Sequence, residues 1–305
     1  MIKPRSRAGR GRGLYHWAME KSMRTVRLPG GEEWPVLGLG TWRMGETASR
    51  RAAEVRALRQ AFEIGYRVID TAEMYGEGGA ELVVGEALAG AARDGLARDG
   101  FIVVSKVYPH NASADGVVAA CERSLRRLGL DQLDLYLLHW RGGVPLADTV
   151  AGFERLQHAG RIRHWGVSNL DLEDLHELDP VPGGRACSVN QVYYSLSERG
   201  PEFALLPWMH ARRMPLMAYS PIDQGALADH PSLRGVAERH AATPAQIALA
   251  WVLQRPGVMA IPKAAQPLHL RHNWAAARIV LSDADLAQLD RLFPPPRKRQ
   301  SLAMR

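Results

Sequence analysis

The sequence predicts an α/β protein built as a (β/α)8 TIM barrel, with an N-terminal β-hairpin ahead of it and an extra C-terminal helix behind it. Three observations carry this prediction. Short apolar runs rich in β-branched residues alternate with longer helical patterns along the whole chain. The runs are continuously apolar rather than alternating, as parallel strands covered on both faces require. The alternation repeats eight times, which favours a closed barrel over an open sheet. A chain of 305 residues suits one such domain. An open dinucleotide-binding sheet would need a Gly-rich turn opening a helix. The segment GLGTWRMG lacks the G-x-G-x-x-G spacing and runs into a Trp-bearing loop instead.

The elements follow in order. MRTVRLPGGEEWPVLGLG reads as a hairpin around Gly30-Gly31 that leads into the first strand, VLGLGT, and then a helix near residues 50–64. Next come YRVIDTA with AELVVGEALAG, FIVVSKV with ADGVVAACERSLRRLG, and LDLYLLH with ADTVAGFERLQHAG. IRHWGVSN precedes LEDLHEL, CSVNQVYY precedes PEFALLPWMHARR, and MPLMAYSP precedes helices around 232–253. GVMAIPK with PLHLRHNWAAAR is the eighth unit. A last helix, SDADLAQLDRLF, opens on a Ser/Asp cap and stops at Pro294-Pro295-Pro296.

Composition narrows the function. Apolar residues make up 46% and charged residues 23%, as in ordinary globular proteins. No apolar run reaches the roughly 20 residues that span a bilayer, and no secretion signal is visible. The net charge of +7 is confined to the ends: residues 1–22 carry six cations against Glu20, and Arg297, Lys298, Arg299 and Arg305 supply four more, leaving the body at −2. Nucleic acid is therefore not the expected partner. Residues 1–22 read as a disordered basic extension, a tag remnant or an upstream start rather than a polyanion-binding arm, and the single barrel domain as 23–305. Both basic ends are expected to be mobile. Two cysteines, Cys121 and Cys187, without metal-ligand spacing fit a reducing cytoplasm. The expected partner is a small molecule, on a monomer or weak dimer.

Chemistry in such a barrel belongs at the C-terminal ends of the strands. There the second strand ends in Asp70, with Tyr75 five residues on; the third ends in Lys106 and the fourth in His139. Taken singly, Asp70 reads equally as a turn cap, Tyr75 as a rim residue, Lys106 as half of a structural ion pair and His139 as a core histidine. Together they make a coherent set. An ammonium beside a phenol lowers the phenol's pKa, Asp70 keeps Lys106 in place and charged, and His139 orients a substrate oxygen. Such a set polarises a carbonyl and protonates it.

Seven ordered segments, DTAEMYGEGGAELVVGEAL, VVSKVYP, LDLYLLHW, GVSN, NQVYY, AYSP and IPKA, together resemble the aldo-keto reductase superfamily over roughly residues 23–300. The likeness is strongest to bacterial methylglyoxal-reductase-type members. The resemblance implies NADPH-dependent reduction of small aldehydes, 2-oxoaldehydes or ketones, with Tyr75, Asp70, Lys106 and His139 as the catalytic tetrad and Tyr75 as proton donor. It assigns Ser168, Asn169 and Gln191 to the nicotinamide carboxamide, and Tyr219 to stacking on the ring. On residues alone, Ser168-Asn169 reads equally as a helix N-cap and Tyr219 as core. Ser220 to Gly225 should pass the pyrophosphate, Lys263 should meet the 2′-phosphate and Asn273 the adenine. Here the sequence departs from the family pattern, with Ala264 for the usual Ser and His269 for the usual Arg. That weakens the 2′-phosphate site, although His269 or Arg271 can substitute, so NADPH is favoured with NADH also usable. Trp42, Tyr108 and Trp140 are expected to wall a largely apolar pocket, while Arg141 and Arg297 read as surface charge. The short segment 220–232 and the short tail after Phe293 imply broad specificity. The alternatives are a nucleotide-holding regulatory subunit of the same fold and a Schiff-base aldolase using Lys106.

Overall fold

The computed structural model describes residues 23–305; the basic extension inferred for 1–22 lies outside the described residues. Strands β1 (Thr25–Arg27) and β2 (Glu33–Pro35) form the expected antiparallel hairpin, with Val26 opposite Trp34. Eight strands then run parallel in sequence order: β3 (Leu39–Gly40), β4 (Val68–Asp70), β5 (Ile102–Val107), β6 (Leu133–Leu138), β7 (Ile162–Ser168), β8 (Asn190–Tyr193), β9 (Leu216–Tyr219) and β10 (Val258–Ala260). β5 and β6 are buried at every position, which is why their sequences show no polar alternation.

The first strand is shorter than VLGLGT suggested, because only Leu39 and Gly40 ladder with β4. The rest of that segment bonds to the other end of the sheet and closes the barrel. Ala260 N donates to the Val36 carbonyl (2.8 Å), Gly38 N to the Ala260 carbonyl (2.8 Å) and Gly40 N to the Pro262 carbonyl (3.2 Å). Gly40 is needed at that closure, since a Cβ would lie 2.8 Å from the Ile261 carbonyl oxygen.

Helices alternate with the strands on the outside: α1 (Ala48–Ile64), α2 (Gly79–Arg93), α3 (Ala114–Leu128), α4 (Leu146–His158), α5 (Leu172–Leu178), α6 (Leu205–Ala211), α7 (Arg234–Arg239), α8 (Pro244–Gln254), α9 (Pro267–Ala276) and α10 (Asp283–Leu292). The cap read for the last helix is present: Ser282 and Asp285 form a reciprocal capping box, and the helix stops ahead of the three prolines. Thr243 and Gln246 do the same for α8. α6 is shorter than PEFALLPWMHARR suggested. Pro207 lacks the N–H that a helix interior would use, so it is tolerated only in the first turn and α6 starts just ahead of it.

The hairpin packs across the N-terminal end of the barrel. Trp34 is fully buried, and Glu32 accepts from Trp34 Nε1 (3.3 Å) and pairs with Arg163 and His164 of β7. The segment after α10 is not the mobile tail that its charge suggested. Arg299 pairs with Glu173 (2.8 Å) and Asp171 (3.8 Å), Leu302 packs on the core, and Arg305 reaches the opposite mouth of the barrel. Among the described residues, no helix is long and apolar enough to cross a membrane, and no group of three or more His, Cys, Asp or Glu can hold a metal ion. Both cysteines are buried and unpaired, and burial pushes the Cys187 thiol up to about 12.

Candidate active site

Asp70 ends β4, Lys106 stands next to last in β5, His139 follows β6, Ser168 ends β7 and Tyr219 ends β9. All therefore face the same C-terminal mouth, and the structure brings the four titratable groups together as the sequence suggested. Lys106 Nζ is wholly buried and donates to Asp70 Oδ2 (2.7 Å), the Thr71 carbonyl (2.9 Å) and Tyr75 Oη (3.2 Å). The Tyr75 ring meets the His139 ring edge-on at 5.7 Å between centroids.

Tyr75 is carried on the turn between β4 and α2, and glycines hold that turn in place. Gly45 and Gly79 approach so closely that a Cβ on Gly45 would lie 2.1 Å from the Gly79 carbonyl carbon. The Tyr75 carbonyl then accepts from Ala80 N (3.1 Å), tying the tyrosine to the first turn of α2. Gly45 N is itself fixed by Glu54 Oε2 at 2.8 Å.

Electrostatics differ in one respect from the sequence-based expectation. Burial, reinforced by the negative charge of Asp70, raises Tyr75 well above the ordinary tyrosine value rather than lowering it. The ammonium cannot reverse this because its charge is already matched by Asp70. Tyr75 is consequently held as a neutral phenol. Burial also pushes Asp70 up and Lys106 down, and their mutual contact opposes both shifts. With three acceptors around Nζ and a second donor on Asp70, the ion pair is the satisfied state. His139 is driven well below its ordinary value by burial and by Lys106, so its ring is neutral; its Nδ1 is buried without a partner among the described residues.

A second layer of polar groups joins this set to β7, β8 and β9. Gln191 Nε2 donates to Asp70 Oδ1 (2.8 Å), a contact with the tetrad that the sequence did not reveal. Ser168 Oγ donates to the Gln191 carbonyl (2.9 Å), and Asn169 Nδ2 to the His139 carbonyl (3.1 Å). Tyr219 Oη donates to Asn169 Oδ1 (2.8 Å). The alternative reading of Ser168-Asn169 as a helix cap is overturned, because Asp171 caps α5 with Asp174 in a capping box. Tyr219 is only partly buried, and burial moves its hydroxyl up to about 12.

A cavity of about 400 Å³ opens beside these groups. Its walls include Asp70, Tyr75, His139, Ser168, Asn169, Gln191 and Tyr219, together with Ser220, Gly225, Lys263, His269 and Asn273. Every cofactor-side residue named from the sequence therefore lines one cavity. His272 joins it, whereas Arg271 is exposed and does not. Of the three aromatics, only Trp42 lines the cavity. Tyr108 and Trp140 pack edge to face on each other (5.9 Å), and Trp140 lies against His139 (4.9 Å), so they brace the histidine rather than wall the pocket. Arg141 is occupied by Glu177 (2.8 Å) and the Val144 carbonyl (2.7 Å), away from the cavity.

Sequence reasoning missed Arg43 and Arg305, which also line the cavity, whereas Ile222 and Gln224 belong to the stretch already assigned to the pyrophosphate. No motif marks the two arginines. Among the described residues, eight other than glycine have positive φ, and four of these, Arg43, Asn169, Ser220 and Gln224, are cavity walls. Strained backbone of this kind concentrates at ligand sites.

A closed barrel with a buried ion pair pressed on a neutral phenol, beside a cavity at the C-terminal mouth, marks an enzyme of the barrel class. Comparison with known proteins names its family. Residues 36–293 match the aldo/keto reductase family model. The chain is 48% identical to methylglyoxal reductase YeaE of Escherichia coli strain K12, over 92% of this chain and 98% of that one. It is 36% identical to glyoxal reductase of Bacillus subtilis strain 168, over 88% and 92%. A crystal structure of an aldo/keto reductase from Klebsiella pneumoniae, in complex with NADP and acetate, superposes with a TM-score of 0.88 at 50% identity, covering 93% of this chain and all (100%) of that one. The chain belongs to the aldo/keto reductase family.

Proposed function

We propose that this enzyme uses NADPH to reduce small aldehydes and 2-oxoaldehydes of the methylglyoxal kind, and ketones, to alcohols, with Tyr75 as the general acid. The observation that carries this reading is the contact of Tyr75 Oη with the buried ammonium of Lys106 at 3.2 Å, on a phenol that burial keeps protonated. The similar proteins support it: two are named for methylglyoxal or glyoxal reduction, and one was solved with NADP.

The residues fit a dinucleotide. The cavity offers amide and hydroxyl groups from Ser168, Asn169 and Gln191 beside Tyr75 and His139, and its wall also carries the exposed cation Lys263 with His269, His272 and Asn273. In this reading Tyr219 would stack on the nicotinamide, Ser220 to Gly225 would hold the pyrophosphate, and Lys263 with the two histidines would hold the 2′-phosphate. Bound there, reduced nicotinamide would supply the hydride for carbonyl reduction.

The chain's own groups do the rest. His139, neutral, hydrogen-bonds the carbonyl oxygen and turns it toward Tyr75. As negative charge grows on that oxygen, Tyr75 gives up its proton. The resulting phenolate lies beside the Lys106 ammonium, which stabilises it. Asp70 keeps Lys106 charged and in place, and Gln191 keeps Asp70 in place. Water from the mouth then reprotonates Tyr75. The aldolase alternative suits the geometry poorly, because Lys106 Nζ is wholly buried and all its N–H groups are taken by Asp70, Thr71 and Tyr75, leaving no lone pair to attack a carbonyl.

The test is oxidation of NADPH and of NADH followed against methylglyoxal, benzaldehyde and a keto-sugar. NADPH turnover with methylglyoxal and benzaldehyde is expected. Borohydride trapping of an adduct on Lys106, with no dinucleotide oxidation, would overturn the proposal.

A further inference from the structure

Two buried carboxylates that the mechanism above does not use bracket the segment carrying Tyr75. Glu73 stands just before the tyrosine, and the wholly buried Glu81 stands in the first turn of α2 behind it. Neither side chain lines the cavity. Each is held by β5 or the loop after it, and by an arginine of α3. Glu73 Oε1 accepts from Tyr108 N (2.8 Å) and Asn111 Nδ2 (3.1 Å), and its Oε2 from Arg123 (3.4 Å). Glu81 Oε1 accepts from Ser105 Oγ (2.6 Å) and its Oε2 from Arg127 Nε (2.6 Å). Arg123 and Arg127 stand about one turn apart on α3, on the same face. The Glu81 contacts are the shorter and the more deeply buried.

Glu81 joins the two elements that carry the reacting pair. Successive side chains of a strand point to opposite faces, so Lys106 reaches into the barrel mouth while Ser105, the residue before it, faces the helices. Glu81 therefore grips β5 one residue from the ammonium, from outside the barrel wall. At its other end it belongs to the helix turn in which Ala80 N donates to the Tyr75 carbonyl (3.1 Å).

The backbone between them needs such a hold. Gly76, Glu77 and Gly78 all have positive φ, and α2 starts at Gly78 without a side-chain cap. A path of this kind persists only where its surroundings over-determine it. Arg127 contributes directly, because its guanidinium lies against Gly78, where a Cβ would come within 2.6 Å of Nε. Stability alone does not call for a carboxylate at position 81. Replacing a buried ion pair by apolar residues of similar volume is often neutral or stabilising, whereas directional bonds fix a geometry.

We propose that Glu81 is a positioning residue for the proton transfer, which through Ser105 and Arg127 sets the separation of Tyr75 Oη from Lys106 Nζ. The proposal rests on the reductase reading above and adds to it a residue that touches neither substrate nor cofactor.

The experiment is a double-mutant cycle. The quantity read is the rate at which enzyme-bound NADPH is oxidised in a single turnover with methylglyoxal, so that product release does not mask the chemistry. Glu81→Gln and Ser105→Ala are each made in the wild type and in Tyr75→Phe. Glutamine has one acceptor oxygen and cannot serve both partners, so Glu81→Gln should slow the wild-type reaction about tenfold, the scale of a small misplacement of a reacting group. Ser105→Ala leaves the Arg127 pair in place and should slow it several-fold. The dissociation constant for NADPH should change less than about twofold in either variant, and in the Tyr75→Phe background neither should slow the reaction by more than about twofold, since the group they position is gone. The solvent deuterium isotope effect on the rate should rise in Glu81→Gln, as proton transfer becomes the slower part. Equal slowing in the two backgrounds overturns the proposal, and so does an unchanged isotope effect. An unchanged rate in a folded variant with a lowered melting temperature also overturns it, leaving the carboxylate a structural role alone. If Glu81→Gln fails to fold, Ser105→Ala decides by the same comparisons. If the wild type oxidises no NADPH with methylglyoxal or benzaldehyde, the reductase reading itself has failed, an outcome distinct from these.

Discussion

Tyr75→Phe isolates the proposed proton transfer from everything else the tyrosine does. The substitution removes one oxygen and keeps the ring that meets His139 edge-on. Lys106 loses its longest contact, 3.2 Å, and retains Asp70 Oδ2 at 2.7 Å and the Thr71 carbonyl at 2.9 Å. The ammonium therefore keeps its counter-charge but leaves one buried N–H without an acceptor, so the folding penalty should be about 1–3 kcal/mol, or about 2–5 °C in Tm for a chain of this size. Turnover should behave differently. Loss of a positioned general acid should cost at least about 100-fold in kcat, equivalent to about 2.7 kcal/mol of barrier. The assay is steady-state NADPH oxidation with methylglyoxal, alongside calorimetric melting. Asp70→Asn is the contrasting control, because it strips the counter-charge from a wholly buried ammonium and should cost about 3–5 kcal/mol of stability. A Tyr75→Phe enzyme that reduces methylglyoxal at near-normal rates would show that the proton comes from elsewhere, whatever its melting temperature.

Four further outcomes are expected. Lys263→Ala should raise KM for NADPH several-fold more than for NADH, since this exposed cation of the cavity wall is read as meeting the 2′-phosphate; equal shifts would remove that role. Trp42→Ala should raise KM for aromatic aldehydes, whereas Trp140→Ala should act mainly on kcat through His139, which it braces at 4.9 Å; the opposite pattern in steady-state kinetics would reverse the assignment of the two walls. His139 is held neutral in the folded chain, far below the value of 6.5 at which it titrates when free. Below about pH 6.5 the unfolded chain thus binds a proton that the folded chain refuses, so stability should fall as pH drops, and His139→Gln should flatten the Tm profile there; parallel profiles would refute this. Gly45→Ala forces a side chain into the 2.1 Å approach to Gly79 at a φ of +72°. It should cost more than about 2 kcal/mol in denaturant unfolding and displace the turn that carries Tyr75, an expectation that an unshifted unfolding midpoint would exclude.

Much of this molecule was legible in its sequence, for reasons visible in particular residues. Parallel strands such as Ile102–Val107 are buried on both faces, so they advertise themselves as unbroken apolar runs. Polar side chains at the ends of such runs, Asp70, Lys106 and His139, stand out against that background and converge because every strand points the same way. What stayed hidden depended on contacts remote in sequence. The length of β3 was misjudged because part of that segment pairs with the end of β10 and the residues just after it rather than with β4. Trp140 looked like a pocket wall because position on a rim does not say which way an indole turns. The direction of the Tyr75 shift was missed because proximity to a cation is readable from order along the barrel, whereas the depth of burial and the prior claim of Asp70 on that cation are not. Arg305 belongs to a segment whose charge suggested solvent, and only the docking of Leu302 and Arg299 returns it to the mouth.

The place where the barrel closes has a thermodynamic corollary. Gly40 and Lys263 bridge the first and last strands of the sheet, and the cavity lies astride that seam, with Gly40, Trp42 and Arg43 on one bank and Ile261, Pro262 and Lys263 on the other. Of all the strand pairings it joins the most distant parts of the chain, so it is the most expensive in loop entropy to make. Anything that fills the cavity sutures it. Nucleotide binding should thus appear as slower amide exchange at Gly38 and Gly40 and as a melting temperature that climbs with ligand concentration, which makes the holoprotein a more tightly fastened ring.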